Sequence, residues 1–314
     1  MAVRVGVIGV GYLGQHHARI YSEIEGSELV GIVDVDQERA DSFAEKYGCL
    51  AQTDYKELFP AVDALSIVTP TTSHYAIALD CLRAGKDVLI EKPITVSVEE
   101  ADALIREAEK QKCIIQVGHL ERYNPAVLYA ADLIHTPLFI ESERLSPFLG
   151  RGTDVDVTLD LMIHDVDIIL SLVGKPVKEI KAIGAKVLSG KIDVAKAWIE
   201  FDGGCSALVT VSRLSPEKVR RLTVCQKDSH ISIDYQNAEV KRHFRTPEGI
   251  SSEIINPEKC EPLKEELKDF IRCVRERARP KVSAREGRDA LKVVMEITEK
   301  IIKSDEEMKD GPNG

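Results

Sequence analysis

Near its start the chain runs from Val3 through Ile8 as an unbroken strand-like stretch, then reads Gly9-Val10-Gly11-Tyr12-Leu13-Gly14, and then turns amphipathic over residues 12–24. Few sequence features restrict a fold as tightly. Glycines at G-x-G-x-x-G spacing, placed between a strand and a helix, belong to a parallel βαβ unit. Gly9 permits a tight turn. Gly11 lets the backbone lie against a pyrophosphate, and Gly14 lets helix and strand pack closely. Tyr12 and Leu13 belong to the same loop. A helix N-terminus adds N–H donors and the positive end of a dipole for phosphates. Asp34 stands 20 residues after Gly14, at the end of the next strand-like run, 28–33. A carboxylate there accepts hydrogen bonds from an adenosine ribose and repels a 2′-phosphate. NAD is therefore expected over NADP. Asp36 follows, and Arg39 is the nearest arginine.

The alternation continues. Strands are predicted at 64–68, 87–90 and 113–117, and helices at 37–47, 73–84 and from Ser97 onward, where Ser97 and Glu100 form a capping box. Strands alternating with helices imply a parallel sheet covered on both faces. The pattern changes after Gly118. Helices are predicted at 125–134 and 158–173, with a strand at 138–145 between them. Six strand-like segments then follow without helices: 180–187, 194–201, 205–212, 220–225, 230–235 and 239–244. Such a run implies a largely antiparallel sheet. Helices close the chain at 263–277 and 285–303. The expected organisation is an α/β protein with a dinucleotide-binding domain over 1–118 and a second α/β domain with an open sheet over 119–303. The polar stretch 304–314 is expected to fray.

Composition narrows the function classes. The chain of 314 residues carries 42 Lys and Arg against 52 Asp and Glu, a formal net charge of −10. No basic block gathers its cations, which argues against a nucleic-acid partner. No run of 18 apolar residues occurs, so no membrane span is expected. The seven cysteines are scattered and form no Cys-x-x-Cys pair. That pattern, with no charged-then-apolar leader before Val3, points to reduced thiols and a cytoplasmic setting.

Further motifs sit at Thr69-Pro70, His74, Ala84-Gly85-Lys86-Asp87-Val88 and Glu91-Lys92-Pro93, and in Asp160…His164 with Asp167 beyond. On these residues the chain resembles the Gfo/Idh/MocA family of NAD(P)-dependent sugar and polyol oxidoreductases. The resemblance covers nearly the whole length. It implies a cofactor site formed by Gly9, Gly11, Tyr12, Leu13, Gly14, Asp34, Thr69, Pro70, His74, Glu91 and Lys92. It also implies that Lys92 sits beside the nicotinamide and hydrogen-bonds the reacting oxygen, where a cation stabilises developing alkoxide. Asp160 and His164 are spaced i, i+4 and share one face of a predicted helix. His164 is the natural general base, and Asp160 orients substrate or tunes Lys92. Hydride transfer to nicotinamide needs no metal, and no third ligand accompanies the pair. The chain departs from the family in reading Thr71 where Asn is frequent, in Met162 where a small residue is frequent, and in lacking the glycine cluster before Asp160.

Two segments read as lining a substrate pocket: 117–125, with His119, Arg122 and Asn124, and the arginine-bearing loop from Arg144 to Arg151. Together with residues 160–165 they resemble the nucleotide-sugar branch, in particular UDP-N-acetylglucosamine 3-dehydrogenases. A diphosphate wants bidentate donors, and Arg122, Arg144 and Arg151 are the candidates. A surface or interdomain ion pair is an equal reading for each arginine, and packing at the interdomain junction an equal reading for His119 and Asn124. The alternatives are a free-sugar or inositol dehydrogenase, and an NAD-dependent glycosidase with no net redox change. In 194–201, Ala195, Ala197, Ile199 and Phe201 share one face and Lys196, Trp198 and Glu200 the other. Family members assemble through this open face, so a homodimer or homotetramer with Trp198 near the interface is expected.

Overall fold

The structure is a computed structural model that describes residues 2–148, 150 and 155–309. The chain divides into two compact units. Residues up to 120 form the first together with 261–289, and residues 121–260 form the second together with the stretch from 290.

The first unit holds a six-stranded sheet, in order β3-β2-β1-β4-β5-β6. Its strands are β1 (Val3–Ile8), β2 (Ser27–Val33), β3 (Leu50–Gln52), β4 (Ala64–Ile67), β5 (Asp87–Glu91) and β6 (Ile115–Gly118). Every neighbouring pair is parallel. The connections carry α1 (Gly14–Glu23), α2 (Gln37–Tyr47), α3 (Thr71–Arg83) and α4 (Val98–Gln111). Local signals set the boundaries. Asp36 caps α2 through Arg39 N–H and Gly48 ends it in the left-handed region. Ser97 caps α4 by accepting from Glu100 N–H, as its capping-box spacing implies. The strand order reverses between β1 and β4, the place where such sheets open a crevice at the carboxyl ends of their strands.

Residues 261–289 return to this unit, a connection that strand–helix alternation does not reveal. Helix α7 (Pro262–Glu276) places Leu267, Phe270, Ile271 and Val274 in one core cluster with Ile20 and Tyr21 of α1. Gln116 in β6 donates to Glu266 O at 3.0 Å and pairs with Ser283 as an isolated antiparallel bridge. Helix α8 (Ala284–Lys309) begins here and continues in the second unit. Residues 304–309 therefore continue a helix where a frayed tail was expected, and residues 310–314 lie outside the described residues.

The second unit holds an eight-stranded sheet, in order β14-β13-β12-β11-β7-β10-β9-β8. Its strands are β7 (Phe139–Leu145), β8 (Val177–Ala185), β9 (Val194–Phe201), β10 (Ser206–Ser212), β11 (Val219–Cys225), β12 (Ser229–Asp234), β13 (Glu239–Thr246) and β14 (Gly249–Ile255). All pairings are antiparallel except β7 with β10. Helix α5 (Pro125–Ala131) is shorter than the expected 125–134. The expected single helix over 158–173 is in fact two elements, a π-helical turn at Thr158–Met162 and α6 (Ile163–Val173). In β9 the faces divide as expected: Ala195, Ala197, Ile199 and Phe201 are buried, while Lys196 is exposed and Trp198 and Glu200 are half-buried. The Trp198 ring packs against Phe139 with centroids 5.6 Å apart. Strand β14 went unforeseen because an edge strand with no fully buried residue shows no apolar alternation.

Candidate active site

In the first unit several of the expected cofactor residues fall at the carboxyl ends of neighbouring parallel strands. Gly9 follows β1, Asp34 follows β2, Thr69 and Pro70 follow β4, and Lys92 follows β5. The glycines differ in what they do. Gly9 has φ +88°, and a Cβ there would meet Val68 O at 2.5 Å. A Cβ on Gly14 would meet Gly9 O at 1.8 Å, so this glycine sets the close approach of α1 to the turn. A Cβ on Gly11 would meet nothing within 4 Å. Gly11 thus borders open space, as a cradle for a pyrophosphate requires. No side chain caps α1, which leaves its dipole end available to an anion. Tyr12 is exposed at the same loop.

Asp34 is buried and accepts Val10 N–H at 2.9 Å and Asp36 N–H at 3.1 Å. Arg39 donates to Asp34 at 3.2 Å and to Asp36 at 3.1 Å. Its guanidinium is held by the two carboxylates. This donor set and the open space at Gly11 fit a dinucleotide.

Two expected cofactor residues make contacts that brace the neighbouring loops. His74 is buried, with Nδ1 2.9 Å from Pro93 O and Nε2 2.8 Å from Thr69 O. Both ring nitrogens are occupied, and the ring ties the loop after β4 to the loop after β5. Glu91 turns inward. Its carboxylate lies 3.2 Å from His17 Nε2 and accepts Lys92 N–H at 3.3 Å. Gly118 makes room for it, since a Cβ there would meet that carboxylate at 2.7 Å. Glu91 and His74 therefore fix the backbone on either side of half-buried Lys92, where a side chain that must meet a reacting oxygen needs rigid support.

In the second unit, Asp160 lies in the π-helical turn, where Ile163 N–H bonds Thr158 O, and His164 lies in the first turn of α6. Met162, Ile163, Asp165, Val166 and Asp167 around them are buried, while Asp160 and His164 are half-buried. Single π-turns occur frequently at functional positions. Sequence periodicity cannot distinguish such a turn from α-helix.

Arg144 takes a place different from the one expected. It is 4% exposed, and its Nε and Nη2 donate to the two Asp165 oxygens at 2.7 and 3.1 Å, while Nη1 donates to Glu121 at 3.0 Å. The Tyr235 ring lies against it, 5.6 Å away. Burial pulls the guanidinium's pKa down, and Asp165 and Glu121 push it above the usual range. With its Nε–Nη2 edge spent on Asp165 and Nη1 on Glu121, Arg144 cannot offer that edge to a diphosphate. Asn124 caps α5 through Ala126 N–H at 3.0 Å and donates to Tyr235 O at 3.2 Å. Arg122 pairs with Asp167 at 3.4 Å, and His119 is buried in the first unit. Arg151 lies outside the described residues. A cleft of about 590 Å³ lies elsewhere on the first unit, and its arginines Arg277, Arg279 and Arg285 are each paired with a carboxylate. Among the described residues no His/Cys/Asp/Glu group of three or more could hold a metal ion, and no helix is long and apolar enough to cross a membrane.

Residues 3–119 match the model of the oxidoreductase family with the NAD-binding Rossmann fold, and residues 140–231 match the GFO/IDH/MocA C-terminal domain. The chain belongs to the Gfo/Idh/MocA oxidoreductase family. Among its relatives, the UDP-N-acetylglucosamine 3-dehydrogenase of Acidithiobacillus ferrooxidans is 38% identical over 87% of this chain and 88% of its own length. A solved structure of that enzyme covers 96% of this chain and 98% of its own at a TM-score of 0.92 and 36% identity. The scyllo-inositol 2-dehydrogenase (NAD(+)) of Bacillus subtilis is 32% identical over 68% of each chain. The chain is thus an oxidoreductase with an NAD-binding Rossmann domain, as its glycine loop and Asp34 imply.

Proposed function

We propose that this oxidoreductase uses NAD, in preference to NADP, to oxidise the 3-hydroxyl of UDP-N-acetylglucosamine to a ketone. The observation that carries the reading is the 38% identity to the Acidithiobacillus ferrooxidans enzyme over 87% of the chain. NAD when bound supplies the hydride acceptor. The glycine loop would hold its pyrophosphate and Asp34 its ribose. In this reading Lys92 is the cation that lowers the pKa of the sugar hydroxyl and stabilises the oxygen as negative charge develops. His164 accepts the hydroxyl proton. Asp160, four residues before it, orients the substrate. Glu91 and His74 keep the Lys92 loop in place.

The test is reduced-nicotinamide absorbance with a panel of substrates. The reading requires NADH from UDP-N-acetylglucosamine, and NADH from a free inositol but none from the nucleotide sugar would overturn it. The inositol reading has its own support, the 32% identity to the scyllo-inositol enzyme. Aryl-glycoside hydrolysis without net NADH would point instead to a glycosidase.

The reading includes a homodimer or homotetramer formed through the open face of the eight-stranded sheet, in a cytoplasmic setting. The half-buried Trp198–Phe139 pair on that face and the seven free thiols support it. A monomer in light scattering at micromolar concentration would refute the assembly.

A further inference from the structure

A diphosphate substrate needs a guanidinium whose fork is unspent, and Arg144 does not provide one. Its cross-strand partner does. Arg220 in β11 stands directly opposite Arg144 in β7. Opposed residues of an antiparallel pair project to the same face, so Arg220 stands on the side of the sheet where Arg144 meets Asp165 of α6. It is half-buried. Only Nη1 is engaged, donating to Leu145 O at 2.7 Å and to Val219 O at 2.9 Å. Those two bonds to backbone carbonyls anchor the side chain at the start of β11 and neutralise none of its charge. The Nε–Nη2 edge is the one Arg144 spends on Asp165, and in Arg220 it donates to no described group. Burial and the Arg144 guanidinium pull the Arg220 pKa down, while Asp165, Glu121 and Asp160 pull it back up. Arg220 is therefore within electrostatic reach of the polar helix start that carries Asp160.

Building on the nucleotide-sugar reading, we propose that Arg220 binds the substrate diphosphate through its Nε–Nη2 edge, the role the sequence suggested for Arg144. A planar fork matches two phosphate oxygens in one plane and discriminates against ligands that lack them. The pairing with Arg144 explains why two arginines stand side by side: one is neutralised by carboxylates and shapes the floor, and the other faces the ligand.

The test measures UDP and uridine affinity by calorimetry on the full chain at saturating NAD, so that the dinucleotide site is already filled. Arg220→Gln and Arg220→Lys are compared with the native chain. The native chain is expected to prefer UDP over uridine. Arg220→Gln should weaken UDP binding about 10- to 100-fold, the range for losing a charge-assisted bidentate contact, and leave uridine unchanged. Arg220→Lys keeps the charge without the fork and should fall between. An unchanged UDP affinity in Arg220→Gln, an equal loss for uridine, or no UDP preference in the native chain would each overturn the proposal. Turnover of UDP-N-acetylglucosamine by the native chain is scored separately. Turnover with an Arg220-independent UDP affinity would sink Arg220 and leave the nucleotide-sugar reading standing. Arg220-dependent UDP binding without that turnover would do the reverse.

Discussion

Replacing Arg144 by methionine should destabilise the second unit strongly. The guanidinium is 4% exposed and makes three charge-assisted hydrogen bonds, two to Asp165, which is fully buried, and one to Glu121. Methionine fills much of the volume and leaves both carboxylates behind. Stranding one member of a buried ion pair costs about 3–5 kcal/mol. The additional change Asp165→Leu removes the stranded charge, so the double variant should recover about 0.5–3 kcal/mol, the coupling found between residues in direct contact. The assay is urea unfolding followed by tryptophan fluorescence. Trp198 is the only tryptophan in the chain and lies in β9 of the sheet that contains Arg144, so the signal reports on the perturbed unit. A loss below about 1 kcal/mol for Arg144→Met, the range of an exposed pair, would refute the buried network. Additive single and double effects would refute the coupling.

Lys92→Met and His164→Ala should each keep NAD affinity and lower turnover by about two to four orders of magnitude, the usual contribution of a positioned acid or base. Near-normal turnover across pH in His164→Ala would remove it as the proton acceptor. Gly11→Ala should melt like the native chain and bind NAD about tenfold more weakly, or ~1.4 kcal/mol, because its Cβ enters open space. Gly14→Ala should destabilise the first unit outright, since its Cβ would lie 1.8 Å from Gly9 O; thermal melts with and without NAD separate the two. Burial pushes the Asp193 carboxyl up, and the Ser189 hydroxyl with the N–H groups of Ser189, Val187 and Leu188 outweighs it, leaving a pKa of about 2 against an ordinary 3.8. A pKa lowered on folding contributes stability that is fully present above the ordinary value and is lost as pH falls through the folded value. Asp193→Asn should therefore cost stability at neutral pH and flatten the acid limb between about pH 4 and pH 2.

The first unit was legible because its signals are local. The strand, the three glycines and Asp34 occupy a short stretch, and each acts on its near neighbours. The alternation in β9 was legible for the same reason, since a period of two assigns faces without reference to the rest of the chain. The return of residues 261–289 was not, because an amphipathic helix declares that one face is buried but not against what. The fate of Arg144 depends on Asp165 and Glu121, which lie 21 and 23 residues away. A signal was nevertheless present. Ile140, Ser142 and Arg144 share one face of β7, so period two already pointed the arginine inward. The same count from Val224 and Leu222 places Arg220 on the inner face of β11.

The proposed reaction sends hydride from a sugar carbon of a nucleotide sugar to NAD. UDP-N-acetylglucosamine labelled with deuterium at carbon 3 tests it directly, with mass spectrometry of both products after incubation with the full chain and NAD. The label should appear in the reduced cofactor, and the sugar product should be a ketone without it. Label retained in the sugar, with or without NAD reduction, would rule out that transfer.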